Sequence, residues 1–165
     1  MSLIENYLHE TPEKMSEIVE KAEELFNKVE KLDLKKVVIT GSGTSYHAGL
    51  QIAPMLRKLM NIEVVSLYPF MITKETFLNH NEKTLVIGIS QGGSSFSTYE
   101  AMKIAKEAGC LTASMAGLEN AYIDEQADYV LTVHCGEELA GAKTKGYYCT
   151  KLNLLLFGLY WGLEN

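Results

Sequence analysis

The run Lys36-Val37-Val38-Ile39-Thr40-Gly41-Ser42-Gly43-Thr44-Ser45-Tyr46-His47 decides the fold. Its first half is short, β-branched and ends on glycine, as expected of a strand covered on both faces. Its second half is a tight glycine- and serine-rich turn leading into a helix predicted over Tyr46 to Met60. Strand, tight loop and helix in succession open a parallel α/β unit.

The same grammar repeats downstream. Strand-like runs follow at Glu63-Val64-Val65-Ser66-Leu67, Thr84-Leu85-Val86-Ile87-Gly88-Ile89, Leu111-Thr112-Ala113-Ser114-Met115 and Tyr129-Val130-Leu131-Thr132-Val133. Helical stretches separate them at Ser95 to Ala108 and, more briefly, Ala121 to Gln126; a last helix spans roughly Lys143 to Leu163. Ahead of the first strand a helix is predicted over residues 10–32, with Thr11 as N-cap and Pro12 at its first position. Met15, Ile18, Val19, Ala22, Leu25, Phe26 and Val29 form its apolar stripe. The expected fold class is α/β: a three-layer, doubly wound, five-stranded parallel sheet of flavodoxin-like order 2-1-3-4-5 with right-handed crossovers. One domain over residues 1–165 is expected. Ligands of such sheets bind beyond the carboxyl ends of the strands where the order reverses, here between the first and third strands.

Composition narrows the classes. Of 165 residues, 47% are hydrophobic and 22% charged, so the chain is globular and large enough for a core without disulfide or metal staples. Net charge −6 argues against nucleic-acid or anionic-membrane binding but not against a small anionic ligand, because backbone amides hold phosphate without a cation. The longest apolar stretch, Leu152 to Leu163, falls short of the ~20 residues of a membrane span, and no signal-peptide pattern opens the chain. Cys110, Cys135 and Cys149 lack CxxC spacing and read as free thiols of a cytoplasmic protein. His134 at a strand end and His80 in a polar loop have no metal-ligand company, so no metal is expected, and no cofactor.

Two loops carry the chemistry. Gly41-Ser42-Gly43-Thr44-Ser45 follows the first strand, and Ser90-Gln91-Gly92-Gly93-Ser94-Ser95 follows the third. Glycines let the backbone turn tightly, helix starts present unpaired amides, and hydroxyls add donors for phosphate or sugar oxygens. Helix capping alone explains either loop; two of them at one switch point favour a ligand site. A dinucleotide fingerprint fails, because Tyr46 stands where the third glycine belongs and Leu67 and Tyr68 where the ribose-binding acid should be. No P-loop occurs.

Gly41 to Gly49 resembles the first loop of sugar isomerase (SIS) domains, closest to the isomerase half of glucosamine–fructose-6-phosphate aminotransferases and the related fructosamine-6-phosphate deglycases. Ile89 to Ser95 resembles that family's Ser-Gln-Ser-Gly-Glu-Thr phosphate loop. Gly136-Glu137-Glu138 and Lys143-Thr144-Lys145-Gly146 resemble its Glu-Ile-Gly-Val-Ala-Ser-Thr-Lys segment, and Glu10-Thr11-Pro12 its Glu-x-Pro opening. The resemblance implies that Ser45, and secondarily Gly43 and Thr44, contact a sugar phosphate. It implies that Ser90, Gln91 and Ser95 hold it, with the amides of Gly92 and Gly93 assisting. Gly92, Ser94 and Ser95 depart from the family's serine, glutamate and threonine, and Gly117 from its asparagine, so a sugar selectivity of its own is expected.

The resemblance further implies a phosphosugar-binding domain, part of an isomerase, aminotransferase or deglycase acting on amino-sugar 6-phosphates. The alternative is a non-catalytic phosphosugar-sensing module of a regulator. The catalytic residues of the resembled enzymes lie in a second SIS repeat, so none is assigned here and the isolated chain is expected to be inactive. Secondary candidates are His47, Glu137, Thr144 and Lys145. Read locally, His47 is a polar helix-start residue, Glu137 and Glu138 a solvated turn, and Lys145 a residue near an interface or helix start. Leu152 to Trp161 is apolar nearly all round, which suggests cover from a homodimer partner or a second SIS domain.

Overall fold

A computed structural model describes residues 2–79 and 81–164; His80 lies outside the described residues. Five parallel strands, β1 (Lys36–Gly41), β2 (Glu63–Leu67), β3 (Thr84–Ile89), β4 (Leu111–Met115) and β5 (Tyr129–Val130), form one sheet in the order β2-β1-β3-β4-β5. This is the doubly wound order expected. Gly41 pairs in register with Ile89, so the two chemistry-bearing loops leave the sheet side by side. β5 covers only Tyr129–Val130 of the expected run Tyr129–Val133. The Leu131 and Val133 amides still donate to the Ser114 and Ala116 carbonyls at 2.9 and 2.8 Å.

Alternation along the strands sorts residues into two layers. Val37, Ile39, Leu85, Ile87 and Met115 pack with α1 (Leu3–Phe26), α2 (Thr44–Met60) and α4 (Lys145–Glu164). Val38 and Val86 face the other way, onto Ala101 and Ala105 of α3 (Phe96–Glu107). Both faces are covered, which is why β1 and β3 are apolar almost throughout.

The first helix differs from expectation: it runs from Leu3 to Phe26, not over residues 10–32. Ser2 and Glu5 form a capping box ahead of it. Thr11 is therefore an interior residue, its hydroxyl donating to the Tyr7 carbonyl at 2.7 Å, and Pro12 lies within the helix. A proline there forfeits one backbone bond, while the neighbouring Tyr7 and Thr11 are buried. After Phe26, whose carbonyl accepts from the amides of both Val29 and Glu30 at 3.0 Å, the chain turns back so that Val29 enters the core.

α4 is covered mainly by its own domain, between α1 and α2. Gly158 permits the close approach, since a Cβ there would lie 2.4 Å from the Leu56 side chain of α2. Leu159 and Leu163 remain exposed. No described helix is long and apolar enough to cross a membrane.

Candidate functional site

β1 and β3 deliver their loops to a common cavity of about 470 Å³. Gly43, Thr44 and Ser45, at the start of α2, form one wall. Ser90, Gln91, Gly92 and Ser95, leading into α3, form the second. Gly141, Ala142 and Lys143, just ahead of α4, form the third. Seven of the eight principal residues picked out in the sequence are thus brought together. Helix starts carry orphan N–H groups and a partial positive charge, and two of them abut this cavity.

The hydroxyls are ordered by one another. Thr44 Oγ1 donates to Gln91 Oε1 at 3.0 Å, and Gln91 Nε2 donates to Thr150 Oγ1 at 3.2 Å, so the amide of Gln91 is fixed at both ends. Ser90 Oγ accepts from the Ser95 amide at 3.2 Å. Ser95 Oγ accepts from the Thr98 amide at 3.3 Å and so caps α3. The Ser45 hydroxyl has no protein partner among the described residues, although the residue is only 5% exposed. A buried hydroxyl open to a cavity and free of partners is suited to a polar ligand.

Gly93, the eighth, lies outside this lining. Its φ of +76° turns the loop, its amide donates to the Ser90 carbonyl at 2.8 Å, and a Cβ would sit 2.7 Å from that of Ala121. His47 is exposed, its ring edge-on to Tyr46 at 5.4 Å between centroids, as a polar helix-start residue should be.

The segment Gly136–Lys145 corrects one expectation. Glu137 is exposed, but Glu138 is buried and not part of a solvated turn. Its carboxylate accepts from the Thr144 amide at 2.6 Å, the Thr144 hydroxyl at 3.0 Å and the Gly146 amide at 2.8 Å. It caps α4 from six and eight residues upstream, a spacing no local capping pattern reveals. Lys145 opens α4 and is buried: Nζ meets Glu10 Oε2 at 2.9 Å and the Glu137 carbonyl at 3.2 Å, and lies 4.9 Å from the Tyr7 ring centre. The Tyr7 hydroxyl in turn accepts from the Leu139 amide at 2.9 Å. Thr144 and Lys145 thus hold the third wall without lining the cavity.

A smaller cavity of about 190 Å³ adjoins the first and shares Gln91, Gly92 and Lys143 with it. Cys135, Glu137 and Glu138 line its far side. The Cys149 thiol beside Cys135 holds that thiol below its usual range, while the same contact and burial push Cys149 up. Ser42, Gly141, Ala142 and Lys143 also line the main cavity and were not singled out in the sequence. Ser42 lay within the first loop, and Lys143 within the segment of family resemblance.

A larger cavity, about 520 Å³, lies between α1 and β5. Its lining mixes Lys21, Lys28, Glu24, Glu119 and His134, and it includes neither helix start, so it lacks a consistent chemistry for phosphate. Among the described residues no group of three or more His, Cys, Asp or Glu is placed to hold a metal ion.

Comparison with known proteins agrees with this fold. The SIS domain family matches residues 32–158. A glutamine–fructose-6-phosphate aminotransferase (isomerizing) of Fusobacterium nucleatum is 34% identical over 135 residues, 80% of this chain and 22% of that protein. A solved Clostridium difficile 630 protein, provisionally described as a phosphosugar isomerase, is 60% identical with a TM-score of 0.96, covering 99% of this chain and 46% of its own. A Salmonella typhimurium LT2 protein, provisionally described as sugar binding, is 40% identical with a TM-score of 0.80, covering 96% and 49%. The chain therefore spans about a fifth of the curated relative and about half of each solved one.

Proposed function

The chain belongs to the SIS domain family, and from that premise we propose that it binds a sugar 6-phosphate or amino-sugar 6-phosphate as the ligand-holding half of an isomerase, aminotransferase or deglycase. The observation that carries this reading is the meeting of two helix starts and the Ser45, Ser90 and Ser95 side chains around one cavity at the sheet's switch point. Phosphate is the ligand such a cradle suits, since orphan amides and short hydroxyls present many donors in a small volume.

Aldose–ketose chemistry also needs a base to move a proton between adjacent carbons. Among the described residues no carboxylate lines the main cavity, and Glu138, which lines the adjoining one, already holds three donors of α4. The base therefore comes from outside this set of residues, from a second SIS domain or a second copy of the chain. Exposed Leu159 and Leu163 on α4 and Leu59 on α2 are apolar surface for such a partner. The compartment is the cytoplasm, where three buried free cysteines stay reduced.

Titration calorimetry with hexose 6-phosphates, amino-sugar 6-phosphates and their unphosphorylated forms tests the reading. Binding that requires the phosphate is the expected result. Equal affinity for phosphorylated and plain sugars would refute it. Binding without turnover, in any assembly that completes the site, would assign the chain to phosphosugar sensing instead.

A further inference from the structure

The main cavity is lined by a single charged side chain among the described residues, Lys143. It stands on the third wall, across from the serine loops, at the junction of the two cavities, and it lines both. We infer that Lys143 is the cation of this site: it reads the negative charge of the ligand's phosphate and makes affinity depend on that charge. The inference rests on the phosphosugar reading above and adds to it the residue that sets selectivity for charge.

Three observations support it. First, the Lys143 ammonium donates to the Glu138 carbonyl, the one acceptor it meets among the described residues. An ammonium has three N–H donors, so two remain for a ligand.

Second, the backbone that directly follows position 143 is held in place. The Glu138 carboxylate grips Thr144 and Gly146, and Lys145 is anchored to Glu10 and to the Glu137 carbonyl. Lysine loses much rotamer freedom when it is pinned by a ligand, and a fixed backbone with one hydrogen bond already made lowers that cost. Third, no carboxylate lines the main cavity, and Lys143 forms no ion pair among the described residues. The serine loops add no formal charge, so a phosphate dianion here has no other counter-charge from the cavity lining.

The test compares the full chain as wild type, Lys143→Met and Lys143→Arg, titrated with glucose 6-phosphate, glucosamine 6-phosphate and the unphosphorylated sugars. Loss of a charge-assisted contact corresponds to about a tenfold to hundredfold drop in affinity for the phosphorylated ligands. Lys143→Met is expected to show that drop and a flatter dependence of affinity on salt. Lys143→Arg keeps the charge and is expected to bind within about threefold of wild type, even if the loop shifts. Melting temperatures of the three proteins separate a loss of fold from a loss of contact. Undiminished phosphosugar binding by Lys143→Met overturns the inference, as does an equal loss in Lys143→Met and Lys143→Arg. Failure of the wild type to bind any phosphorylated sugar removes the underlying reading, and is distinguishable because it needs no variant.

Discussion

Replacing Glu138 by alanine should destabilise the protein more than any other single change at the site. The side chain is 7% exposed and accepts from the Thr144 amide, the Thr144 hydroxyl and the Gly146 amide. Removing it strips the N-terminal cap from α4, a loss worth about 0.5–2 kcal/mol. It also leaves partly buried amides unpaired, at about 1–3 kcal/mol. Water entering the space left by the carboxylate recovers part of this, so we expect a loss of about 2–4 kcal/mol. For a domain of 165 residues each kcal/mol lowers the melting temperature by about 2–4 °C, giving a fall of about 4–16 °C. Urea unfolding followed by circular dichroism measures the free energy, and a differential scan measures the temperature. Glu138→Gln retains one acceptor oxygen and should lose about half as much. A Glu138→Ala protein within ~0.5 kcal/mol of wild type would refute the claim that this carboxylate organises the third wall.

Three other outcomes follow from particular contacts. The double change Ser45→Ala with Ser90→Ala should cost about 1.5–3 kcal/mol of phosphosugar affinity per hydroxyl, with an unaltered circular dichroism spectrum; undiminished binding would place the site elsewhere. Burial works to raise the Asp128 carboxyl, but Lys106 at 2.9 Å and the Thr112 amide and hydroxyl outweigh it and hold the group below the usual carboxylate range. A depressed carboxylate contributes stability present above its unfolded value near 3.9 and lost as pH falls through the folded value, so Asp128→Asn should show a smaller stability loss than wild type between about pH 5 and 2. Burial pushes the Cys110 thiol up to about 11, so iodoacetamide at about pH 8 should leave it unmodified in the native protein and alkylate it in urea.

Much of the scaffold was legible because it follows from local chemistry. Strands β1 and β3 are apolar on both faces and end at glycine- or serine-rich loops, and that alone implies a parallel sheet with its site at the switch. The first and second walls of the cavity were legible for the same reason, each being a strand end running directly into a helix start. The third wall was not. Glu138 reads as solvated because its partners lie at Thr144 and Gly146, and Lys143 is legible only as part of a resembling segment because its place on a cavity depends on that fold-back. The start of α1 is hidden because Thr11-Pro12 imitates a cap, whereas Ser2 and Glu5 cap the helix more than two turns earlier. Gly93 reads as a phosphate amide, whereas in the fold its amide donates to the Ser90 carbonyl across the turn. Short-range grammar can be read from a sequence, whereas contacts between distant segments need the fold.

The fastening of Lys145 to Glu10 and of Leu139 to Tyr7 has a consequence for how the protein is made. These bonds join residues separated by 135 and 132 positions. During synthesis the first helix emerges long before its partners exist, and the serine loops are complete while the third wall is still unmade. Pairings of such long sequence separation form late, after the loop-closure entropy of the intervening chain has been overcome. The cavity is therefore among the last features of this domain to close, and its occupancy reports that α1 has found the segment ahead of α4.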